Sequence, residues 1–239
     1  MDIKRQYFDA IQNKIEAVYN AQNEKINKVA HIFGDCMISG GVVQLFGVNH
    51  GEEFVNELVY RAGGIAPLHG FKLKDLMLKG LVNQKDIDSG EVYNKTEVVD
   101  LFLNNNQVDD RDMIVLVSFK GNEPLLIEFA KRYKENGQKV VVVINKVSYD
   151  ATNSNLLDYA DEYLDMSSDD PDIALNIGDL KVGQISSTVT NVIAQMLTAE
   201  MYAYYKEKGL DAPVLLSANI KNADIHNNSL TDPYERRIR

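Results

Sequence analysis

Three short, largely apolar runs of residues constrain the fold of this chain most strongly, and a helical pattern follows each of the first two. The runs cover residues 42–46, 113–117 and 139–144. In the third run every residue after Lys139 is β-branched, which is typical of a strand buried on both faces. Strands that alternate with helices at this spacing predict an α/β fold, a three-layer αβα sandwich with a central parallel sheet.

Residues 1–40 form a helical segment ahead of the first predicted strand. Side chains recur in steps of three and four from Ile3 to Met37, apolar except for Gln22, which fills the one gap, and this spacing predicts one long helix or a helix pair. The small sheet that follows cannot cover so long a stripe. We therefore expect part of the segment to contact a second subunit in a homodimer or homotetramer.

The rest of the chain, residues 41–239, is predicted to be the α/β core and a polar C-terminal tail, so residues 1–239 form a single domain. Helical spacing covers 51–61, 98–103 and 123–134, and a fourth strand is predicted over 160–164. Residues 186–188 are Ser-Ser-Thr, which indicates the cap of a last long helix that ends near Lys208. The polar stretch 83–94 is expected to be an exposed excursion.

The charge balance restricts the classes of partner. With 25 basic and 35 acidic residues the formal net charge is −10, which disfavours nucleic acid and anionic membrane surfaces as partners. No apolar run approaches the roughly 18 residues that a membrane span requires, and no apolar h-region follows the first residues. Together with a single cysteine, Cys36, this composition predicts a cytoplasmic protein.

Two glycine-containing turns follow predicted strands and lead into predicted helices. They cover residues 47–53 and 118–123. Ligands of open parallel sheets bind at the carboxyl ends of the strands, where glycine lets the backbone approach them and helix amides attract anions. The two turns are therefore candidate ligand loops, although many such turns only connect elements.

The chain resembles the sugar isomerase (SIS) domain family, a phosphosugar-binding fold, and within it an uncharacterised branch labelled as phosphoheptose isomerases. The resemblance covers nearly the whole chain and depends on residues 47–51, Glu57-Leu58, 60–64, 114–121, 127–130, 137–143, Gly183, Ser187-Thr188, Pro213, 217–219 and His226-Asn227. It implies a Rossmann-like parallel sheet, a dimer or tetramer with sites at subunit interfaces, and proton transfer next to the carbonyl of a sugar phosphate. In most members no metal takes part.

The resemblance also implies a set of ligand-binding residues. Carried over to this sequence, they are Gly47, Asn49, His50, Gly51, Ser118, Lys120, Gly121, Asn122, Ser187 and Thr188. Several positions depart from the family pattern of phosphate-binding hydroxyls: Gly51 and Lys120 stand where serine is common, Glu123 where threonine or an equivalent is usual, and Ile144 where Thr or Ser is common. Lys120 could pair with Glu123 or reach a phosphate.

Glu57 and His226 are the candidates for proton transfer. Glu57 follows the first turn at the family's spacing, and an imidazole such as that of His226 titrates near neutrality. Each has a structural alternative: Glu57 could only pair with Arg61, four residues on, and His226 could only anchor the polar tail. With one cysteine and four scattered histidines, the sequence predicts neither a metal site nor a cofactor.

Three functions therefore compete. The favoured one is a phosphosugar-binding protein that isomerises an aldose and a ketose by proton transfer. Loss of the hydroxyls favours a sensor that binds the ligand without turnover, and the long N-terminal helix favours an assembly role. The predicted ligand is a sugar phosphate or a similar small anion.

Overall fold

A computed structural model describes residues 2–149, 156–166 and 172–238. Its central sheet has five parallel strands in the order β2-β1-β3-β4-β5. These strands are β1 (Val43–Gly47), β2 (Leu68–Gly70), β3 (Met113–Ser118), β4 (Val140–Ile144) and β5 (Glu162–Asp165). A separate antiparallel hairpin pairs β6 (Leu175–Ile177) with β7 (Leu180–Val182). The predicted parallel sheet is confirmed, and β2 is a strand that the sequence pattern did not reveal.

The described helices cover both faces of the sheet. They are α1 (Ile3–Ile38), α2 (Gly51–Leu58), α3 (Leu73–Leu78), α4 (Gln84–Asp88), α5 (Val98–Asn105), α6 (Pro124–Glu135), α7 (Ser186–Glu207), α8 (Ala223–Thr231) and α9 (Glu235–Ile238), with short 3₁₀ helices at Glu91–Asn94, Leu156–Tyr159 and Asp232–Tyr234. One buried cluster joins α1, α2 and α7 to one face of the sheet, and a second joins α3, α5 and α6 to the other. The predicted three-layer αβα sandwich is therefore confirmed.

The N-terminal segment is one continuous helix rather than a helix pair. Its C-terminal half is covered, since Val29 and Phe33 are fully buried and α1 packs along α7. Nearer its N-terminus Phe8 is 56% exposed and Tyr19 is 52% exposed, but neither residue is on the predicted apolar stripe. Between Tyr7 and Val18 the stripe itself is half-buried or buried within this chain, so contact with a second subunit stays a prediction.

Two local expectations need correction. The cap of α7 comes from Asp172, whose carboxylate accepts from the Ile185 and Ser186 amides and from the Ser186 hydroxyl. The first residues of the helix therefore do not supply their own cap. The stretch 83–94 is not simply an exposed excursion, because Val92 is fully buried and anchors the stretch to the core.

The order of the strands puts a topological switch between β1 and β3. The chain leaves β1 through α2 on one face of the sheet and leaves β3 through α6 on the other. In open α/β sheets such a switch opens a crevice at the carboxyl ends of the strands, and ligands bind there. Both predicted ligand turns border this crevice.

Candidate functional site

The turns after β1 and β3 lie side by side at the carboxyl edge of the sheet. Gly47 is in register with Val117, and the Val48 amide donates to the Val117 carbonyl over 3.0 Å. The first turn of α2 packs so tightly against β3 that a Cβ atom on Gly51 would lie 2.7 Å from the Val117 carbonyl oxygen. Glycine at position 51 is thus a packing requirement, which explains why no serine hydroxyl is found there.

The β1 turn also approaches the start of α7. Asn49 adopts a left-handed backbone conformation with φ 52°, and the exposed His50 side chain follows it. The His50 Nε2 atom lies 3.2 Å from the side-chain amide nitrogen of Gln184, a residue just ahead of α7. Ser187 and Thr188 are on the first turn of that helix. The structure therefore brings the β1 turn, the β3 turn and the start of α7 into one neighbourhood.

The β3 turn is closed by its own acidic side chain. The buried Ser118 hydroxyl donates to Glu123 over 2.6 Å and accepts from the Gly121 amide over 2.7 Å. The Lys120 side chain is exposed and makes no ion pair with any described residue, so its suggested pairing with Glu123 is not found. Asn122 is exposed beside it. The phosphate hydroxyl retained in this turn, that of Ser118, therefore already has both a donor and an acceptor.

Tyr93, which no sequence motif indicated, reaches this crevice from the stretch 83–94. Burial and the nearby carboxylate of Glu52 raise its pKa, a hydrogen bond with the Asn49 backbone opposes the change, and Glu123 adds to it. The tyrosine hydroxyl thus lies within electrostatic reach of Glu52 and Glu123, which come from the two turns. No local sequence signal identifies Tyr93, because only the path of the chain around α4 brings it back.

A cavity of about 370 Å³ opens beside the β1 turn, at the carboxyl ends of β1 and β2. Its walls combine apolar and charged side chains: Val55, Phe71, Leu73, Met77 and Ile87, with Glu52, Asn56, Lys72, Lys74 and Gln84, and Gly47. This volume is within the range of small-molecule sites. Of the predicted ligand residues, only Gly47 lines it. Lys72 and Lys74 belong to the segment after β2. No sequence pattern identified β2 itself.

Glu52 is on the rim of this cavity, in the first turn of α2. Its side chain is exposed at the mouth, yet partial burial raises the pKa of its carboxyl group, while the positive charge of Lys72 opposes that change. A carboxylate against apolar walls is a stronger base than a fully solvated one. The neighbouring Glu53 is exposed and does not line the cavity.

Glu57 lies further along α2 and faces α7. Its carboxylate accepts from the Arg61 guanidinium and, over 2.7 Å, from the Gln195 side-chain amide. The structural alternative considered for Glu57 is thus present in the fold. Its catalytic role stays a prediction.

His226 is on α8, and its Nε2 atom lies 2.9 Å from the Val214 carbonyl. Val214 bridges to Ile65, three residues ahead of β2 and therefore on the amino side of the sheet. Within one subunit His226 is not part of the neighbourhood formed by the two turns. Contact with the site of another subunit would be needed for the proton-transfer role that the sequence suggested.

A separate chain of buried polar groups crosses the start of the sheet. His69 pairs with Gln44 over 2.6 Å, and Gln44 donates to Asp112, which is also bound by the guanidinium of Arg237. Burial lowers the pKa of His69 to about 4, with a smaller opposing effect of Asp75. These contacts join β2, β1 and the loop ahead of β3 to α9, and they serve the fold.

Among residues 2–149, 156–166 and 172–238, no group of three or more His, Cys, Asp or Glu side chains is arranged to hold a metal ion. In the same part of the chain no helix is both long and apolar enough to cross a membrane.

The comparisons with known proteins agree with the fold. A family model described as the SIS domain matches residues 6–145. A UPF0309 protein of Caldanaerobacter subterraneus is 30% identical over 98% of each chain, and one of Geobacillus kaustophilus is 27% identical over 98% of this chain and 94% of its own.

Solved structures are similar in fold at lower identity. A phosphoheptose isomerase from Francisella tularensis is 14% identical, with a TM-score of 0.59 over 84% of this chain and 96% of its own. The Vibrio vulnificus NanR protein, complexed with ManNAc-6P, is 13% identical, with a TM-score of 0.54 over 98% of this chain and 69% of its own. The E. coli CFT073 protein c3406, in complex with a sugar phosphate, is 14% identical, with a TM-score of 0.51 over 85% of this chain and 90% of its own. On the family match and the full-length relatives, the chain belongs to the SIS domain family and is a relative of the UPF0309 proteins.

Proposed function

We propose that this protein binds a sugar phosphate at the carboxyl edge of β1 and β3 and interconverts its aldose and ketose forms. The observation that carries the proposal is the adjacency of the β1 and β3 turns at the switch point, in a chain of the SIS domain family. Two proteins of related fold have been solved with sugar phosphates, one of them ManNAc-6P, which supports a small anionic ligand here.

The reaction needs only proton movements. A base removes the proton from the carbon next to the carbonyl, and the C–H electron pair forms the double bond of an enediol as the carbonyl oxygen gains a proton. The base then returns its proton to the former carbonyl carbon while the neighbouring hydroxyl loses its own. Each bond that breaks is matched by one that forms, so no oxidant or reductant is required.

Glu57 and His226 are the residues that the family resemblance offers for these steps. For Glu57 the contacts with Arg61 and Gln195 would hold the carboxylate in one orientation. For His226 the proposal requires a second subunit, since its own subunit holds it on the amino side of the sheet. A homodimer or homotetramer that covers the exposed part of α1, in the cytoplasm, is part of the same proposal.

The test is proton exchange into a panel of sugar phosphates. Fructose 6-phosphate, arabinose 5-phosphate and sedoheptulose 7-phosphate are incubated with the protein in D₂O, and isomerisation and loss of the C1 or C2 proton signal are followed by ¹H NMR. We expect at least one of them to exchange and interconvert. If Glu57→Gln leaves the rate unchanged, Glu57 has no part in the mechanism; if none of the sugar phosphates exchanges, isomerisation is excluded for them.

The second candidate function is a sensor that binds a sugar phosphate without turnover. The hydrogen bond from Ser118 to Glu123 favours it, because the retained phosphate hydroxyl is already occupied by a carboxylate. A ligand bound only by the folded protein raises its melting temperature. A sugar phosphate that stabilises the protein in a thermal-shift assay without any deuterium exchange would favour sensing over isomerisation.

A further inference from the structure

We propose that a second cavity, between the free edge of β2 and helices α3 and α5, binds an adenine nucleotide. The cavity has a volume of about 310 Å³ and is lined by residues 69–72, Asp75, Leu76, Leu78, Lys79, Phe102 and Asn106. None of the residues of the β1 and β3 turns lines it. The inference is therefore independent of the proposed function, which places the sugar phosphate at those turns.

The free backbone edge of β2 is the first reason. β2 is the last strand of the sheet, and just after it the Phe71 amide donates to the Leu45 carbonyl of β1 over 2.8 Å. The backbone stays extended at Lys72, with φ −128° and ψ 124°. Because alternate residues of an extended strand direct their backbone groups to opposite sides, the Gly70 carbonyl and the Lys72 amide face away from β1.

These two backbone groups match the edge of an adenine base. Gly70 is buried, yet neither its carbonyl nor the Lys72 amide has a hydrogen-bond partner in the part of the chain that the structure describes. Buried backbone groups are rarely left without a partner. A carbonyl and an amide two residues apart offer one acceptor and one donor. The 6-amino group of adenine donates to the first, and its ring nitrogen N1 accepts from the second.

His69 supplies a further acceptor on the buried wall of the cavity, where it is 9% exposed. The Gln44 side chain donates its N–H to Asp112 and therefore turns its carbonyl oxygen toward His69 Nδ1, 2.6 Å away. Such an oxygen only accepts, so Nδ1 carries the proton and Nε2 keeps a free lone pair. Burial lowers the pKa of His69 to about 4, which keeps the ring neutral at pH 7. Nε2 has no partner among the described residues and is available to the second N–H of the adenine amino group.

The other walls fit the base and the ribose. Phe71 and Phe102 are buried with their ring centroids 5.3 Å apart, and with Leu76 they give an apolar surface for a flat ring. Asp75 is exposed at the mouth of the cavity. A carboxylate there accepts hydrogen bonds from ribose hydroxyls, as acidic residues do in other nucleotide sites.

Lys79 is the residue that we assign to the 5′-phosphate. Its side chain is exposed at the mouth and contacts the Asn105 side chain over 3.4 Å, and it makes no ion pair with a described residue. An ammonium group donates to phosphate oxygens as a point charge. The Lys72 side chain is not assigned to the phosphate, because its charge acts on Glu52 in the first cavity.

Binding is tested by titration calorimetry with adenosine 5′-monophosphate (AMP) and inosine 5′-monophosphate (IMP). The two have the same ribose and phosphate, but IMP has a carbonyl in place of the amino group and a proton on N1, which reverses donor and acceptor. We expect AMP to bind and IMP to bind about tenfold or more weakly, since its base edge leaves the backbone groups unpaired. Absence of AMP binding, or equal affinity for the two nucleotides, would overturn the inference and leave the proposed function untouched.

A competition titration separates the two sites. Saturating fructose 6-phosphate should leave the affinity for AMP unchanged, because the β1 and β3 turns lie outside the cavity. Displacement of AMP by the sugar phosphate would refute a separate nucleotide site while the proposed function stands. AMP binding in a protein that exchanges none of the sugar phosphates would uphold the inference although the proposed function fails.

Two variants locate the nucleotide. His69→Asn keeps a side-chain amide beside Gln44 but removes Nε2, so AMP and adenosine should both bind about fivefold more weakly. Lys79→Met should weaken AMP about fivefold and leave adenosine unchanged, since only AMP has the phosphate. Lys85→Met is the matched control, because Lys85 is exposed on α4 outside the cavity, and it should change neither. Wild-type AMP affinity in Lys79→Met, or in a folded His69→Asn, contradicts the assignment; if His69→Asn does not fold, the Lys79→Met variant and the comparison of AMP with IMP decide.

Discussion

Replacing Gly51 by serine restores the hydroxyl that the SIS family commonly has at this position, yet we expect it to harm the protein. A Cβ atom there would lie 2.7 Å from the Val117 carbonyl oxygen and 3.0 Å from its Cγ1 atom. Either α2 or β3 must shift, and such overpacking costs about 1–3 kcal/mol. For a chain of this size that corresponds to a melting temperature lower by about 2–12 °C.

The assay is thermal unfolding of Gly51→Ser beside Gly51→Ala, each with and without fructose 6-phosphate. Alanine makes the same clash without a hydroxyl, so the two variants should lose similar stability, and neither should gain affinity. Glu53→Gln, an exposed change in the same turn, should stay within about 1 kcal/mol of the wild type. The reasoning is refuted by a serine variant that is as stable as the wild type and binds the sugar phosphate more tightly than the alanine variant.

Three further predictions concern buried or half-buried groups. Asp112→Asn should lower the free energy of unfolding by about 3–5 kcal/mol in urea, because Arg237 and two backbone amides bind that carboxylate; a loss below about 1 kcal/mol would contradict it. His69 has a pKa of about 4 when folded, so the unfolded chain binds an additional proton and stability should fall as the pH drops from about 6.5 to about 4. A His69→Gln variant should show a weaker dependence there, and an equal one would contradict the assignment. Burial raises the pKa of Cys36 to about 12, so iodoacetamide at pH 8 should react with the folded protein about a thousandfold more slowly than with the unfolded one; comparable rates would refute this.

Much of the fold follows from local patterns. The β-branched run that forms β4, the apolar run that forms β3 and the three-and-four spacing of α1 each identify their element, because burial of one face or both leaves a direct trace in the sequence. The element β2 left no such trace, since only Leu68, His69 and Gly70 form it and one of them is polar. Strands of three residues are too short for a period to be recognised.

Part of the candidate site could be predicted in the same way. Glycine-containing turns after strands, together with the family resemblance, identified the β1 and β3 turns, and the parallel sheet brings these turns together. The resemblance also identified Glu57 and His226, but it gave no information about their partners. That Arg61 holds Glu57 and that Val214 holds His226 are facts of packing.

The sequence by itself determined the α/β class, the long N-terminal helix and the two turns beside the switch point, because hydrophobic period and glycine placement act over a few neighbouring residues. The tertiary structure alone decided that Lys72, Lys74 and Glu52 line one cavity and that Tyr93 returns to the crevice. It also decided that the Ser118 hydroxyl donates a hydrogen bond to the Glu123 carboxylate. Most of these groups come from separate segments of the chain, and their distances depend on how the elements between them pack.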